Sequence, residues 1–298
     1  MKLQLSYGKA KSSLDFPDLS PSEISVQDLE KKLLKEVFKK SKDRMCIRTL
    51  DKVILPSGSK DTLDKYLREG DEIIVKDLGP QISWKTVFMV EYLGPIIIHP
   101  LFYYFAETIH GAPFQASVLQ KTTLFLIVLH FLKREYETMY VHRFSHATMP
   151  LSNLFKNSAH YHFLSGVLIA YSVYSPKYSQ PQEIENPLYF YFCIGLYAFG
   201  EISNFMTHIA LRNLRPPGTR TRAIPYGYGF DLVSCPNYFF ETLAWVAICL
   251  LTGNWASWLF TAVAFGQMYV WALKKHSQYK KDFPDYPKGR KAIVPFFA

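Results

Sequence analysis

The chain divides into two parts that differ in how hydrophobic and polar positions alternate. In the first part, KLQLSY alternates apolar and polar residues, as a half-buried strand does. SVQDLEKKLLKEVFKK has apolar residues at helical spacing, and EGDEIIVKDL predicts a closing strand after a turn. This order of elements predicts a small α+β domain over residues 1–77.

Beyond residue 80 the pattern changes to long apolar runs separated by short polar segments. Each run approaches the roughly 20 residues that a helix needs to cross a bilayer. The runs lie at about residues 84–106, 118–140, 159–176, 188–211, 237–252 and 255–273. The fifth run is short and the second turns polar at KREYE, so a seventh or re-entrant segment is an alternative. The pattern therefore predicts an all-α polytopic membrane domain with six spans over residues 84–298.

The distribution of charge supports the same division. Residues 1–80 carry 16 Lys and Arg and 14 Asp and Glu, whereas residues 81–298 carry 18 and 11. With a cytosolic N-terminus, which the lack of a signal-peptide pattern favours, fifteen basic residues of the loops and tail fall on the cytosolic side and two on the other. This asymmetry predicts that both termini are cytosolic. The net charge of +9 is then explained by topology and anionic lipid heads, and we predict no nucleic-acid partner.

Cysteine and histidine spacing predicts neither a disulfide framework nor a metal site. The four cysteines are scattered and form no CxxC pair. His142 and His146 are four residues apart in HRFSH, but further ligands with carboxylate support are not evident. No GxGxxG follows a strand and no GKS/T loop occurs, so a soluble Rossmann or Walker site is not encoded.

Three carboxylates, Glu91, Glu201 and Glu241, fall inside apolar runs. A charge at the centre of a membrane helix costs roughly 2.5 to 3.5 kcal/mol on insertion scales, so each needs a reason. For Glu91, in VEYLGPIIIHP, two explanations stay open on the residues alone. It pairs with a basic residue of a neighbouring helix, or it is a buried carboxyl that shares or donates a proton.

The loop LRNLRPPGTRTRAIPYGYG carries basic residues interleaved with Gly and Pro. Its four arginines are Arg212, Arg215, Arg220 and Arg222. Such a loop suits an anion clamp, because guanidinium groups bind phosphates with two parallel hydrogen bonds. Lipid phosphates would explain the loop equally well.

The stretch VSCPNYFFETLAW opens a very apolar run with polar residues. Ser234 can cap a helix and Pro236 suits its first turn. Asn237 and Glu241 are then one turn apart on one face, with Tyr238 about 100° round the axis. Spacing alone favours a helix cap with an interfacial tyrosine over a reaction site.

Longer motifs change this picture. The tail KKHSQYKKDFPDYPKGRKAIVPFFA, preceded in order by NFMTHIALRNLRPPG, IPYGYGF and VSCPNYFFE, resembles the steroid 5α-reductase superfamily. KDLGPQISW, EYLGP and HRFSHATMPLSNLFKNSAHY resemble its very-long-chain trans-2-enoyl-CoA reductase branch, as does a head similar to a ubiquitin-like β-grasp domain. The resemblance implies an endoplasmic-reticulum enzyme that uses NADPH to saturate the 2,3 double bond of an enoyl-CoA, the last step of each round of fatty-acid elongation.

The resemblance also implies site residues. It makes Tyr238 the proton donor or enolate stabiliser and Glu91 the residue that orients or polarises the thioester carbonyl. The implied NADPH site consists of Asn204, Arg215, Asn237, Glu241, Lys275, Tyr279 and Arg290. Its basic residues would meet phosphates, and Asn237 and Glu241 the nicotinamide amide or ribose. His208 and Phe131 depart from steroid-reducing relatives, which carry Asp and Tyr there, so a steroid substrate is disfavoured and the role of His208 is open.

Other functions remain as alternatives. A steroid 4-ene or polyprenol reductase would share the fold, and an isoprenylcysteine-type methyltransferase would share the basic tail but use S-adenosylmethionine. A non-catalytic membrane adaptor would explain the split composition without needing Glu91, Glu241 or the arginine loop. The expected partners are an acyl-CoA substrate, the lipid bilayer and other membrane enzymes of the elongation cycle.

Overall fold

The chain separates into two units in the computed structural model, which describes residues 1–144, 147–179, 184–216 and 223–297. The first unit, here called the head, comprises Met1–Ser83 and Thr148–Ser152. The second, the helical unit, comprises Trp84–Ala147 and Asn153–Ala298. The sequence boundaries, 1–77 and 84–298, assign residues 148–152 to the membrane part instead.

The head contains a mixed four-stranded sheet and a helix. Its elements are β1 (Lys2–Tyr7), β2 (Ala10–Asp15), α1 (Val26–Leu33), β3 (Met45–Thr49) and β4 (Glu72–Asp77). The strand order is β2-β1-β4-β3, and only the central pair, β1 with β4, is parallel. Alternate strand residues such as Leu3, Leu5 and Ile73 are fully buried against Leu29 and Leu33 of the helix. The predicted α+β organisation of this part is therefore confirmed.

Asp77, at the end of β4, accepts several hydrogen bonds from other residues of the head. Arg44 donates to its two carboxylate oxygens from Nε and Nη2, at 3.0 and 2.7 Å, and Lys40 Nζ donates at 2.6 Å. The Gly79 amide donates to Oδ1 at 2.9 Å. Hydrogen bonds from Arg44 and then Lys40 hold the pKa of Asp77 well below its usual range.

We expect the head to lose stability in acid through Asp77. Because its folded pKa lies below the unfolded value of about 3.9, its contribution is complete at neutral pH and is lost as the pH falls below about 5. Asp77→Asn should lower protection at neutral pH and flatten the decline in acid, whereas Asp64→Asn, at an exposed carboxylate, should change neither. The measurement is hydrogen-exchange protection of β3 and β4 amides, corrected for intrinsic rates. An unchanged acid-induced loss in Asp77→Asn would contradict the assignment.

Two further short strands belong to the head, β5 (Gln81–Ser83) and β6 (Thr148–Pro150). They pair antiparallel with Ile82 opposite Met149. The Trp84 amide donates to the Ala147 carbonyl at 3.2 Å, and the Leu151 amide donates to the Pro80 carbonyl at 2.9 Å. A distant segment thus returns to pair with the strand that precedes the first long helix.

The helical unit is built from helices, as predicted. They are α2 (Trp84–Tyr104), α3 (Ala106–His110), α4 (Val118–Tyr136), α5 (Ser152–Ser158), α6 (Ile169–Val173), α7 (Pro187–Asn213), α8 (Pro236–Thr252) and α9 (Trp255–Asp282). Within the described part, α2 and α9 are long and apolar enough to cross a membrane by length and composition. The predicted six spans are not confirmed by this finding and stay a prediction.

Two helices of the helical unit continue as π-helical segments, which often occur near functional sites. Glu137–Val141 extends α4, and Ala159–Leu168 follows α5. The second segment packs very closely on α2, because a Cβ added at Gly94 would lie 2.0 Å from the ring of His162. His162 Nε2 donates to the Val90 carbonyl at 2.9 Å.

Helices α7 and α8 also approach closely, and this contact positions the candidate site. A Cβ added at Gly200 would lie 2.7 Å from the Ala244 backbone nitrogen and 3.0 Å from the Phe240 carbonyl oxygen. One turn beyond Gly200, the Asn204 amide donates from Nδ2 to the Asn237 carbonyl at 2.9 Å. The glycine therefore brings the start of α8 within reach of α7.

Candidate active site

A cavity of about 620 Å³ opens among α4, α7, α8 and α9. Its cationic lining residues are Arg134, Arg143, Arg212, Arg215, Lys274 and Lys275. No Asp or Glu occurs in the described lining, while Phe88, Phe144, Leu211 and Trp271 supply apolar surface. Six cationic side chains without a carboxylate among them suit a ligand that carries several negative charges and an apolar part.

The structure brings together five of the nine residues implied as site residues. Those lining the cavity are Tyr238, Asn237, Arg215, Lys275 and Tyr279. The other four, Glu91, Asn204, Glu241 and Arg290, lie outside the described lining.

The start of α8 differs in one respect from its predicted form. Pro236 occupies the first turn, as predicted, but the N-cap residue is Cys235 and no side chain caps it. The prediction that Ser234 caps the helix is wrong. Its Oγ is hydrogen-bonded instead to His276 Nδ1 at 2.5 Å and to the Tyr286 hydroxyl at 2.6 Å.

The C-terminal tail holds the start of α8 in place. The Ser234 and Cys235 amides donate to the carbonyls of Lys291 and Ala292, at 2.8 and 3.0 Å. Arg290 is buried and donates from Nη1 to the Pro225 carbonyl at 2.8 Å. Its guanidinium carbon also lies 4.8 Å from the ring centre of Tyr226 and 5.3 Å from that of Tyr286. These contacts give Arg290 a structural role between the tail and the 225–226 segment.

Asn237 and Tyr238 present their side chains at the cavity. Asn237 is buried, and its Oδ1 has no hydrogen-bond partner within the described chain. Tyr238 is half-buried, and its ring lies at an angle to that of Trp271, with centroids 6.4 Å apart. Lys275 and Arg134 are within electrostatic range of the Tyr238 phenol. The cavity thus offers a buried acceptor beside a phenol in a positive environment.

A network of buried polar groups fixes α8 against α4 and α7. Its links from α4 are His130 Nδ1 to Glu201 Oε1 at 2.6 Å, His130 Nε2 to Glu241 Oε1 at 3.5 Å, Lys133 Nζ to Glu201 Oε2 at 2.6 Å, and Lys133 Nζ to Asn204 Oδ1 at 2.6 Å. Asn204 and Glu241 therefore have protein partners. Breaking one buried pair of this kind typically costs about 3–5 kcal/mol, since it leaves a charge without compensation.

Arg134 connects this network with the cavity. It donates from Nη1 to Glu137 Oε2 at 2.7 Å and from Nη2 to the Tyr92 hydroxyl at 3.0 Å. Glu137, fully buried, is also bonded to His208 Nδ1 at 2.9 Å. His208, whose role the sequence left open, is thus oriented by Glu137 at the cavity wall.

Glu137, His142 and His208 have potential metal-ligand atoms within 4.8 Å of one another. The Glu137 carboxylate is nevertheless already paired with Arg134, and Lys133 Nζ lies 3.9 Å away. Neighbouring cations disfavour a divalent ion there, so we assign it no metal. His146, the other histidine of HRFSH, lies outside the described residues.

Arg143 and Arg215 form a reciprocal clasp at the cavity wall. Arg143 Nη1 donates to the Arg212 carbonyl at 3.0 Å and also to the Arg215 carbonyl. Arg215 Nη1 donates to the Arg143 carbonyl at 3.0 Å. The clasp ties the segment after α4 to the end of α7. The remaining arginines of the predicted anion clamp, Arg220 and Arg222, lie outside the described residues.

Glu91 is buried on α2 with only 1% of its surface exposed. Its Oε2 has no hydrogen-bond partner in the described chain, and its carboxyl lies beside Asn157 and in electrostatic range of Arg134 and Glu135. Both explanations that the sequence left open keep support: Arg134 is a nearby cation, and one carboxyl oxygen has no partner in the described chain. A link to the cavity runs through the adjacent Tyr92, which accepts from Arg134.

Sequence reasoning did not assign His130, Lys133, Arg134 or Glu137 to the site. A signal was present, because KREYE interrupts an apolar helix with charges that are expensive to bury. The structure shows that Lys133, Arg134 and Glu137 form ion pairs with Glu201 and His208 of α7 and Glu241 of α8, and that Arg134 also pairs with Glu137.

Comparison with known proteins gives a family match and several similar chains. Residues 147–298 match the 3-oxo-5-alpha-steroid 4-dehydrogenase family. The chain is 48% identical over 290 residues to an enoyl reductase of Schizosaccharomyces pombe, covering 97% of this chain and 95% of that protein. It is 44% identical over 237 residues to the very-long-chain enoyl-CoA reductase of Dictyostelium discoideum, covering 79% and 77%.

A very-long-chain enoyl-CoA reductase of Caenorhabditis elegans is 38% identical over 282 residues, with 91% of both chains covered. The matches to the relatives from Schizosaccharomyces pombe and Caenorhabditis elegans cover more than nine tenths of the chain. The chain therefore belongs to the enoyl-CoA reductases of the 3-oxo-5-alpha-steroid 4-dehydrogenase family and is an enzyme.

Proposed function

We propose that this enzyme reduces the 2,3 double bond of very-long-chain trans-2-enoyl-CoA with NADPH, as the last step of the fatty-acid elongation cycle. The substrate class follows the names of the relatives from Dictyostelium discoideum and Caenorhabditis elegans. The observation that supports the cofactor is the charge of the cavity: besides Arg134, which is paired with Glu137, five cationic side chains line it, and its described lining contains no carboxylate. NADPH carries a pyrophosphate and a 2′-phosphate, so it matches this charge.

The residues present fit NADPH in two further respects. The unpartnered Oδ1 of Asn237 is a buried acceptor that a carboxamide N–H of the nicotinamide would satisfy. Arg215 and Lys275 would meet phosphates, and Tyr279 would lie beside them. We propose an indirect role for Asn204, Glu241 and Arg290. They do not line the cavity in the described residues, but their contacts hold α8 and the tail in place.

The chemistry divides between cofactor and protein. NADPH, when bound, supplies the hydride that adds to the β-carbon of the enoyl thioester. Tyr238 is proposed to donate the proton for the α-carbon or to hydrogen-bond the thioester oxygen where negative charge develops. Lys275 and Arg134 would stabilise the phenolate that proton donation leaves. Glu91 is proposed to orient the thioester carbonyl.

We further propose an endoplasmic-reticulum location, six membrane spans and cytosolic termini. The head is proposed to be ubiquitin-like, supported by its central parallel strand pair and overlying helix. The proposed partners are the acyl-CoA substrate, the bilayer and other membrane enzymes of the elongation cycle.

The test of this function is an assay of the detergent-solubilised full chain. Loss of NADPH absorbance should require a long-chain trans-2-enoyl-CoA and yield the saturated acyl-CoA. A steroid 4-ene and a polyprenol serve as alternative substrates, and S-adenosylmethionine as a competing ligand in thermal shift. Stabilisation by S-adenosylmethionine alone, or the absence of any enoyl-CoA-dependent NADPH oxidation, would overturn the proposal.

Asn237→Ala should raise the Kd for NADPH by about tenfold, since it removes one buried hydrogen bond worth about 1–2 kcal/mol. The main-chain bond from Asn204 to the Asn237 carbonyl is unaffected by this change. Thr242→Ala, on the following turn, is the control and should leave the Kd unchanged. Titration of NADPH fluorescence measures the Kd of both variants. A wild-type Kd in Asn237→Ala would show that the Asn237 side chain does not bind the cofactor.

A further inference from the structure

The pairing of β5 with β6 has a consequence for the cavity. Cavity-lining residues His142, Arg143 and Phe144 precede β6 by only a few positions. β6, which pairs with β5, therefore follows one wall of the cavity closely along the chain. Met149 at the centre of β6 is buried, with 3% of its surface exposed.

The cavity-wall segment 142–144 is also attached at α7. Arg143 donates to the carbonyls of Arg212 and Arg215, and Arg215 donates back to the Arg143 carbonyl. The last of these bonds is accepted by the Arg143 backbone carbonyl, so it depends on the position of that backbone. On the N-terminal side that backbone follows α4 and its π-helical extension, and on the C-terminal side the chain is bonded again at Ala147, whose carbonyl accepts from the Trp84 amide, and then pairs with β5.

The strand β5 is itself firmly connected to the rest of the head. The Gly79 amide donates to Asp77 Oδ1 at 2.9 Å, and Gln81 Nε2 donates to the Leu78 carbonyl at 3.0 Å. Gly79 has φ 74°, a left-handed conformation that suits glycine and turns the chain between β4 and β5. The connection is short and internally bonded, so β5 is not the end of a loose linker.

We propose that the β5–β6 pairing is a positioning element for cofactor binding, which keeps residues 142–144 and the Arg143–Arg215 clasp in the form that receives the phosphates. This rests on the proposed function, since the affinity concerned is that for NADPH. Without the pairing, residues 142–144 would sample other conformations. The apparent affinity for NADPH would then be the intrinsic affinity multiplied by the fraction of time that the wall is formed.

The register shows which proline substitution in β5 would break the pairing and which would not. The flanking bonds, Trp84 to Ala147 and Leu151 to Pro80, show that Ile82 and Met149 form the hydrogen-bonded pair between them. Pro150 fits this register, because its position needs no ladder donor. Ile82→Pro removes a ladder donor, whereas Ser83→Pro places proline where the N–H faces away from β6.

Ile82→Pro in the full chain should raise the Kd for NADPH by about tenfold, if the wall is then formed about a tenth of the time. Its kcat at saturating NADPH should stay within about twofold of wild type, because the binding energy of the cofactor restores the wall. Ser83→Pro should bind NADPH as wild type does. Met149→Gly loosens the same pair without proline and should shift the Kd in the same direction by a smaller factor.

A covalent rescue separates positioning from a general loss of structure. Ser83 and Thr148 face each other as a non-hydrogen-bonded pair, the closer kind, which suits a disulfide. Ser83→Cys and Thr148→Cys added to Ile82→Pro should restore NADPH affinity when oxidised and lose it again on reduction. Wild-type affinity in both Ile82→Pro and Met149→Gly, or weakened binding that oxidation fails to restore, would overturn the positioning role. Wild-type protein that binds no NADPH would overturn this role and the proposed function together.

Discussion

Tyr238→Phe is expected to abolish enoyl-CoA reduction while leaving NADPH binding intact. The phenol is the proton donor or oxyanion partner proposed at the cavity, and general acids of this kind contribute about 10²- to 10⁴-fold to rate. Removing the hydroxyl leaves the ring contact with Trp271 and the turn that holds Asn237, so the cofactor should still bind. The measurements are kcat with a long-chain trans-2-enoyl-CoA and the Kd for NADPH.

The matched control is Tyr269→Phe. Tyr269 packs with Tyr238 against the same buried cluster but does not line the cavity in the described residues. It should keep wild-type kcat. Turnover near wild type in Tyr238→Phe would remove the proton-donor role. Glu91→Gln then becomes the informative variant, because Glu91 carries the buried carboxyl oxygen without a partner.

The head shows how far local sequence patterns predict structure. Alternation in KLQLSY and helical spacing in residues 26–37 depend on neighbours along the chain, so they correctly indicated a strand and an amphipathic helix. The pairing of β5 with β6 depends instead on two three-residue segments far apart in sequence. Strands this short carry too little alternation to predict a partner.

The start of α8 shows a second limit. Serine is a preferred N-cap residue, so local preference favours that role for Ser234. His276 and Tyr286, distant in sequence, compete for its hydroxyl and bind it. Local preference is a weak guide wherever buried partners from elsewhere in the chain can satisfy the same group.

The candidate site was predicted in part, for a related reason. Helical spacing places Asn237 and Glu241 on one face, but it does not say which helix that face meets. Asn237 reaches the cavity, whereas Glu241 lies opposite His130 and Arg134. The charges of KREYE were visible as an anomaly, yet the partners of Lys133, Arg134 and Glu137 on α7 and α8 depend on how three helices pack.

Gly200→Ala is expected to be the more damaging of the two Gly-to-Ala substitutions in α7. The new Cβ would lie 2.7 Å from the Ala244 nitrogen and 3.1 Å from its Cα, and backbone atoms cannot move aside as a flexible side chain can. Overpacking of this kind typically costs about 1–3 kcal/mol. The displacement acts one turn from the bond between Asn204 and the Asn237 carbonyl, so NADPH affinity should fall together with stability.

Gly195→Ala, on the same helix, isolates the steric cause. No heavy atom lies within 4 Å of a Cβ added at Gly195, so that change brings only the helix preference of alanine, about 1 kcal/mol in its favour. The two variants should shift the melting temperature in opposite directions, with Gly200→Ala lower and Gly195→Ala equal or higher. Thermal denaturation in detergent, with and without NADPH, measures both. A Gly200→Ala protein as stable as Gly195→Ala would show that α8 is not held at the α7 crossing, and the support of Asn237 would then have to come from the C-terminal tail.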